Sequence, residues 1–162
     1  MIEIPLTKGY IAVVDDVDAD LAQYKWQAIE KKNGVYASRR GKNREAGMSI
    51  GMHRTIGARI VERGLIRSDD VDHKDGNGLN NVRTNLRVCS HTQNLQNRKL
   101  NKNNKIGFKG VSIIKSKRNP YKASINVNGK AIRLGCFPTP ELAHKAYCEA
   151  AKEYFGEFAR FE

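Results

Sequence analysis

Asp72 and His73, adjacent in the chain, and Asn94, twenty-two positions on, are the residues whose types and spacing could do chemistry together. A carboxylate, an amide oxygen and several waters suit a hard divalent ion such as Mg²⁺, with Mn²⁺ as the second choice, because such ions keep much of their hydration shell. The remaining oxygen ligands could come from a scissile phosphate. A metal held there would polarise the phosphoryl oxygen and stabilise a leaving 3′ oxygen. His73 would be the general base for the attacking water, since an imidazole with an unperturbed pKa near ~6.5 is matched to that task at neutral pH.

The stretch 71–97 supplies elements that can bring these groups together. Val71-Asp72-His73 has strand character, and a turn-rich loop follows with Asp75, Gly76, Asn77, Gly78, Asn80 and Asn81. Leu86-Arg87-Val88-Cys89 reads as a second strand. Ser90 and Gln93 then form the Ser-x-x-Gln pattern of a capping box, so a helix should start there with Asn94 one turn in. The order is strand, loop, strand, helix. Taken alone, Asp75 to Gly78 is a turn, because Gly and Asn tolerate positive φ. His91 is a rival metal ligand, ranked below Asn94 for its place at the first helical position. A calcium loop is excluded, since the ladder of acidic residues it needs is missing.

Asp72-His73-x-Asp75-Gly76-Asn77, then Asn80-Asn81, Asn85-Leu86-Arg87 and Asn94, resembles the HNH nuclease motif, in the version of phage and intron-encoded homing endonucleases with the ββα-metal fold. The resemblance implies that His73 activates water and that Asp72 and Asn94 hold the metal. It also implies that Asn85 pins the loop and orients the base. Met52-His53-Arg54 resembles the helix that precedes the motif in this family. That helix is expected over 52–63, with Ile56, Ile60 and Val61 on its apolar face. His53 is assigned to helix packing, because no partner lies near it in sequence.

Composition agrees with a polyanionic partner. Lys and Arg number 29 against 17 Asp and Glu, a net charge of +12 over 162 residues. Such an excess favours nucleic acid over membrane. Cys89, Cys136 and Cys148 are scattered, odd in number and without a C-x-x-C pair, which excludes a disulfide framework and a cysteine zinc site. They are expected to be reduced and buried, in a reducing cytoplasm. The chain has neither a long apolar run nor the layout of a signal peptide, so a cytoplasmic protein (in a bacterial host, if phage-encoded) is expected.

Ahead of the motif, alternating apolar residues predict a small antiparallel sheet, with turns at Lys8-Gly9 and Lys31 to Gly34 and a helical turn or two over 19–24. The basic run Arg39, Arg40, Lys42 and Arg44 is expected to be exposed and to contact phosphate. Residues 99–105 read as a basic linker between an N-terminal nuclease region, 1–98, and a C-terminal domain, 106–162.

In that domain three strands precede a helix. Asn128-Gly129 is a two-residue hairpin signal. Thr139 is an N-cap followed by Pro140, and Gly156 is the stop. An apolar stripe of Leu142, Ala143, Ala146, Tyr147, Ala150 and Ala151 should face the sheet. The sheet's inward set is Val111, Ile113, Tyr121, Ala123, Ile125, Ile132 and Leu134. Phe108-Lys109-Gly110-Val111, Tyr121-x-Ala123-x-Ile125, Leu134-Gly135-x-Phe137 and the Ala-rich helix resemble the APETALA2/ethylene-response-type DNA-binding domain. The resemblance implies a sheet in the major groove. Lys109, Lys115, Lys117, Arg118, Lys122 and Lys130 would then meet phosphates, while Asn126 and Arg133 read bases. The plant target does not carry over, because the plant base-contacting arginines and tryptophans are absent.

The expected fold is α+β: an N-terminal antiparallel sheet and a ββα-metal module, then a three-stranded antiparallel sheet packed on one helix. The expected activity is metal-dependent hydrolysis of double-stranded DNA, a monomer nicking and a dimer able to cut both strands. The alternative is a non-catalytic DNA-binding regulator that retains the nuclease fold. An RNA-directed role is disfavoured, because the deep, narrow major groove of A-form helices does not admit a sheet.

Overall fold

The computed structural model describes residues 1–41, 47–61, 63–101 and 103–161. Lys42 and Arg44, two of the expected phosphate contacts, lie outside the described residues. The chain is α+β with several small antiparallel sheets. It divides into two compact units, Met1–Asn94 and Leu95–Glu162.

In the first unit, β1 (Ile2–Pro5) and β2 (Ile11–Val14) form a hairpin. β3 (Gln27–Lys31), β4 (Gly34–Arg40) and β5 (Ser49–Gly51) form a separate three-stranded sheet. One N-terminal sheet was expected and there are two, because the acidic segment Asp16–Gln23 coils into 3-10 turns between them. There follow α1 (Met52–Ile60), β6 (Asp69–His73), β7 (Leu86–Ser90) and α2 (His91–Gln96), with β6 and β7 antiparallel. This is the strand, loop, strand, helix order of the motif. The capping box forms at the start of α2: Ser90 N donates to Gln93 Oε1 at 2.9 Å, and Gln93 N to Ser90 Oγ at 3.3 Å.

One apolar core runs through both sheets and the motif, joining Ile4, Val14, Leu21, Trp26, Met52, Ile56, Val71 and Leu86. Each such side chain contributes roughly 1.5–3 kcal/mol on burial. The buried stripe of α1 is Met52, Ile56 and Gly57. Ile60, expected on that face, is 36% exposed in the terminal turn, since the first turn of the helix, not the last, enters the core.

In the second unit, β8 (Val111–Ile113), β9 (Tyr121–Val127) and β10 (Lys130–Phe137) lie in the order β10-β9-β8, all antiparallel. α3 (Pro140–Phe155) is capped by Thr139, whose side chain accepts from Leu142 N. Asn128 and Gly129 both have positive φ, 51° and 80°, as a type I′ hairpin requires. Gly110 has φ 77° and lies so close to Tyr147 that a Cβ would collide with the ring. Val111, Ala123 and Ala143 form the centre of this core, flanked by Phe108, Tyr121, Leu134 and Phe137.

Two expected core residues face solvent. Ile113, 65% exposed, ends a three-residue edge strand. Leu142, 47% exposed, sits one position, about 100°, away from the Ala143-Tyr147-Ala150-Ala151 stripe. Of the cysteines only Cys89 is buried; Cys136 and Cys148 are half-buried, and all three are free. Among the described residues no helix is long and apolar enough to cross a membrane.

Candidate active site

A cavity of about 410 Å³ in the first unit is lined by His73, Asp72 and Asn94, together with Asp70, His53 and Tyr36. β6 carries the acidic residues and His73, α2 carries Asn94, α1 carries His53 and β4 carries Tyr36. The cavity is of the size that small-molecule sites have. The β3–β4 hairpin reaches it too, through Lys31, Lys32 and Asn33.

His73 is 5% exposed, and its Nε2 lies 3.3 Å from Oδ1 of the fully buried Asn81. Asn81 Nδ2 donates to Leu79 O, so its oxygen must face the imidazole. The proton therefore sits on Nε2 and the lone pair on Nδ1. Burial depresses the His73 pKa, opposed by the Asn81 hydrogen bond and by Asp75 and Asp72. At neutral pH the ring is in its basic form. Asn81 is held in turn by β2: its N donates to Val13 O at 2.8 Å, and Val13 N donates to Leu79 O at 2.9 Å.

Asn85, the residue expected to pin the loop and orient the base, does the pinning. Its Nδ2 donates to Asp75 Oδ1 at 3.0 Å and Asn80 O at 2.8 Å, and its Oδ1 accepts from Asp75 N at 3.1 Å. The direct contact to His73 belongs to Asn81, which the sequence placed only in the turn. Two asparagines in tandem gave no local sign of which one turns inward. Gly78 closes the loop over β4, where a Cβ would collide with Val35 O and the Tyr36 ring.

Asp72 and Asn94 reach the same cavity but bond to different groups. Asp72 Oδ2 accepts from Arg87 Nε at 3.0 Å and Nη2 at 2.8 Å. Asn94 Nδ2 donates to Asp70 Oδ2 at 3.0 Å, and the exposed His91 Nδ1 lies 2.9 Å from that same oxygen. Burial would raise the Asp70 pKa, but Asn94, His91 and Arg54 hold it below the ordinary carboxylate value. Asp70 was missed, although strand alternation puts it on the same face as Asp72. Asp70, Asp72 and Asn94 are a hard-oxygen donor set of the kind that suits Mg²⁺ or Mn²⁺. Among the described residues no group of three His, Cys, Asp or Glu is gathered tightly enough to hold a metal unaided. Any ion would need the Asn94 amide, waters or substrate oxygens as well.

The expected DNA contacts divide. Arg39 is half-buried, not a free exposed cation: its guanidinium lies over Tyr24 at 4.6 Å and Trp26 at 5.8 Å. Arg40 is exposed. Lys109 donates from Nζ to the carbonyls of Gln96, Arg98 and Arg160 at 3.3, 2.6 and 2.9 Å. Lys109, expected just before β8 as a phosphate contact, has its ammonium held by backbone acceptors. Lys115, Lys117 and Arg118 lie exposed in the β8–β9 loop, and Lys130 at the β9–β10 turn. The register pairs Ser124 with Arg133, Asn126 with Ala131 and Lys122 with Cys136, one face of the sheet. A bulge between Arg133 and Gly135 adds Cys136 to that face, where its Sγ accepts from Arg133 Nη2 at 2.8 Å.

Comparisons with known proteins bear on this arrangement. Residues 52–96 match the HNH endonuclease family model. An uncharacterized HNH endonuclease of Acanthamoeba polyphaga mimivirus is 42% identical over 109 residues, which cover 67% of this chain and 54% of that relative. Protein 3.8 of Escherichia phage T7 is 34% identical over 91 residues, 56% of this chain and 74% of that relative. The chain thus spans about half the length of the first and about three quarters of the second. No solved structure matches it. The matched segment runs from the first residue of α1 to the last of α2, so it encloses the cavity's helices and the β6–β7 hairpin, and this chain belongs to the HNH endonuclease family.

Proposed function

We propose that the chain is a metal-dependent DNA endonuclease of the homing type, and that its C-terminal sheet reads the target. The observation that carries this reading is the single cavity shared by His73, Asp72 and Asn94, with the base oriented by a buried amide. His73 Nδ1 takes the proton of a water that attacks phosphorus, and the 3′ oxygen leaves. Asn81 fixes the tautomer, and Asn85 fixes the loop that carries Asn81. Asp72, Asn94 and Asp70 would hold a divalent ion, with Mg²⁺ the first choice. When bound, such an ion supplies Lewis-acid stabilisation of the phosphoryl charge and the leaving oxygen.

Recognition is assigned to the face of β9 and β10 that carries Lys122, Asn126 and Arg133, with Lys115, Lys117, Arg118 and Lys130 at its border. The APETALA2-type resemblance and the net charge of +12 support it. Lys122 and the loop cations would contact phosphates, and Asn126 and Arg133 base edges.

The test is relaxation of supercoiled plasmid in Mg²⁺, with an EDTA control and His73→Ala. Metal-dependent nicking that falls by about 10²-fold or more in the variant is expected. Binding without nicking in Mg²⁺ or Mn²⁺ would instead support a non-catalytic regulator.

A further inference from the structure

His53 is unexplained by the reading above. It opens α1, lines the cavity, and its ring centroid lies 5.3 Å from that of His73. The Tyr36 ring flanks both imidazoles at 6.0 Å. Gly51 presses on the other side, where a Cβ would sit 2.7 Å from His53 Cε1. Nδ1 is buried with no hydrogen-bond partner among the described residues. A ring held this tightly has little freedom to turn away from the cavity.

An imidazole has one donor and one acceptor nitrogen when neutral. A polar side chain left unpartnered in a folded interior calls for an explanation. Core packing is a weak one, because a phenyl ring would fill the same slot without a buried unsatisfied nitrogen. The chemistry around it suggests a better partner. A phosphate whose attacking water touches His73 lies within reach of a second ring about 5 Å away. Burial, with His73 and Arg54 adding to it, pushes the His53 pKa down to about 3. The ring is therefore a neutral donor that neither competes for the water's proton nor carries a charge that would oppose protonation of His73.

We propose that His53 is a second catalytic imidazole, donating from Nε2–H, since Nδ1 is enclosed by protein, to a non-bridging oxygen of the scissile phosphate beside the water activated by His73. No proton is transferred. The bond strengthens as negative charge gathers on that oxygen in the transition state, the action of a preorganised oxyanion donor. The proposal rests on the endonuclease reading and adds a residue that the motif's catalytic and metal-binding set does not include.

The test compares wild type, His73→Ala, His53→Phe and His53→Gln in nicking of supercoiled plasmid with Mg²⁺. Rates are expressed per molecule able to bind plasmid in EDTA, alongside thermal melting of each variant. Phe keeps a ring without a donor, and Gln keeps a donor without a ring, so their order decides even if one variant is less stable. The expected result is a loss of about 10²-fold in His53→Phe, with His53→Gln clearly faster and plasmid binding preserved in both. If wild type nicks, His73→Ala does not, and His53→Phe nicks as fast as wild type or faster than His53→Gln, packing explains His53 and the proposal falls alone. If wild type does not nick in Mg²⁺ or Mn²⁺, the endonuclease reading and this proposal fall together.

Discussion

The two units of this chain place charge in opposite ways. In the first, two sets of ion pairs reach inside the fold and link segments apart in sequence. Asp18, 0% exposed, accepts from Arg83 Nε and Nη2 at 2.7 and 3.0 Å and from Arg59 Nη1 at 2.8 Å. Arg83 N also donates to Asp15 Oδ2 at 2.7 Å, so the motif's loop is tied to the acidic N-terminal segment. Asp72 and Arg87 pair across the β6–β7 hairpin with both side chains below 10% exposure. In the second unit the core is apolar, and the basic residues of the loop and the hairpin tip face solvent, with Lys109 the exception. A cavity that holds a buried imidazole and a buried carboxylate in a low dielectric needs its charges fixed and compensated. A surface that gains affinity by releasing counterions from a polyanion needs its charges unpaired.

The largest expected effect lies in the buried pairs of the first unit. Asp18→Ala strands Arg59 and Arg83 and should lower stability by about 3 kcal/mol, the low end for a broken buried pair because both arginines are about one-third exposed. Urea unfolding would measure it, and a change below the usual ±0.5 kcal/mol of surface substitutions would remove the contrast between the units. The sign with pH is defined. Arg83 and then Arg59 hold the Asp18 pKa below its ordinary value of 3.8, so this stability is complete above that value and is lost as pH falls through the depressed pKa. Wild type and Asp18→Asn should therefore converge toward low pH.

A smaller effect separates two lysines of the second unit. Lys109→Met leaves three carbonyls without their donor and should cost about 2 kcal/mol, with the salt dependence of DNA binding unchanged. Lys122→Ala should do the reverse. Stability stays within about 0.5 kcal/mol, while the slope of log K against log salt becomes shallower by about 1. Exchange of the two outcomes would mean that Lys109 reaches DNA after all. The smallest change is Ser90→Ala, which removes one half of the capping box on a six-residue helix. About 1 kcal/mol is expected, read as faster hydrogen exchange at the Gln93 amide and a weaker hold on Asn94. Unchanged exchange would show that tertiary contacts, not the cap, secure α2.

Much of the candidate site was legible because its signals are local. The Ser90–Gln93 box, the Asn128-Gly129 turn and the Thr139-Pro140 helix start all depend on neighbours a few residues apart. Each appears in the structure at the position the residues indicate. The errors lie where a side chain had a choice of direction. Strand alternation alone placed Ile113 inward, yet a three-residue edge strand leaves it uncovered. Arg39 was read from a basic run as exposed, whereas Tyr24 and Trp26 draw its guanidinium onto their rings. For Lys109, expected to meet phosphate, the structure adds three backbone carbonyls that accept from its ammonium.

The amino-acid sequence by itself determined the order of elements, the motif and the donor chemistry gathered in it, because turns, caps and periodicity are short-range preferences written into adjacent residues. Only the tertiary structure decided that Asn81 rather than Asn85 touches His73, that Asp70 joins Asn94, and that His53 stands beside His73. Those choices depend on which segments, tens of residues apart, share one core. A buried polar atom takes whichever partner the packing brings within about 3 Å, and no local pattern encodes that partner.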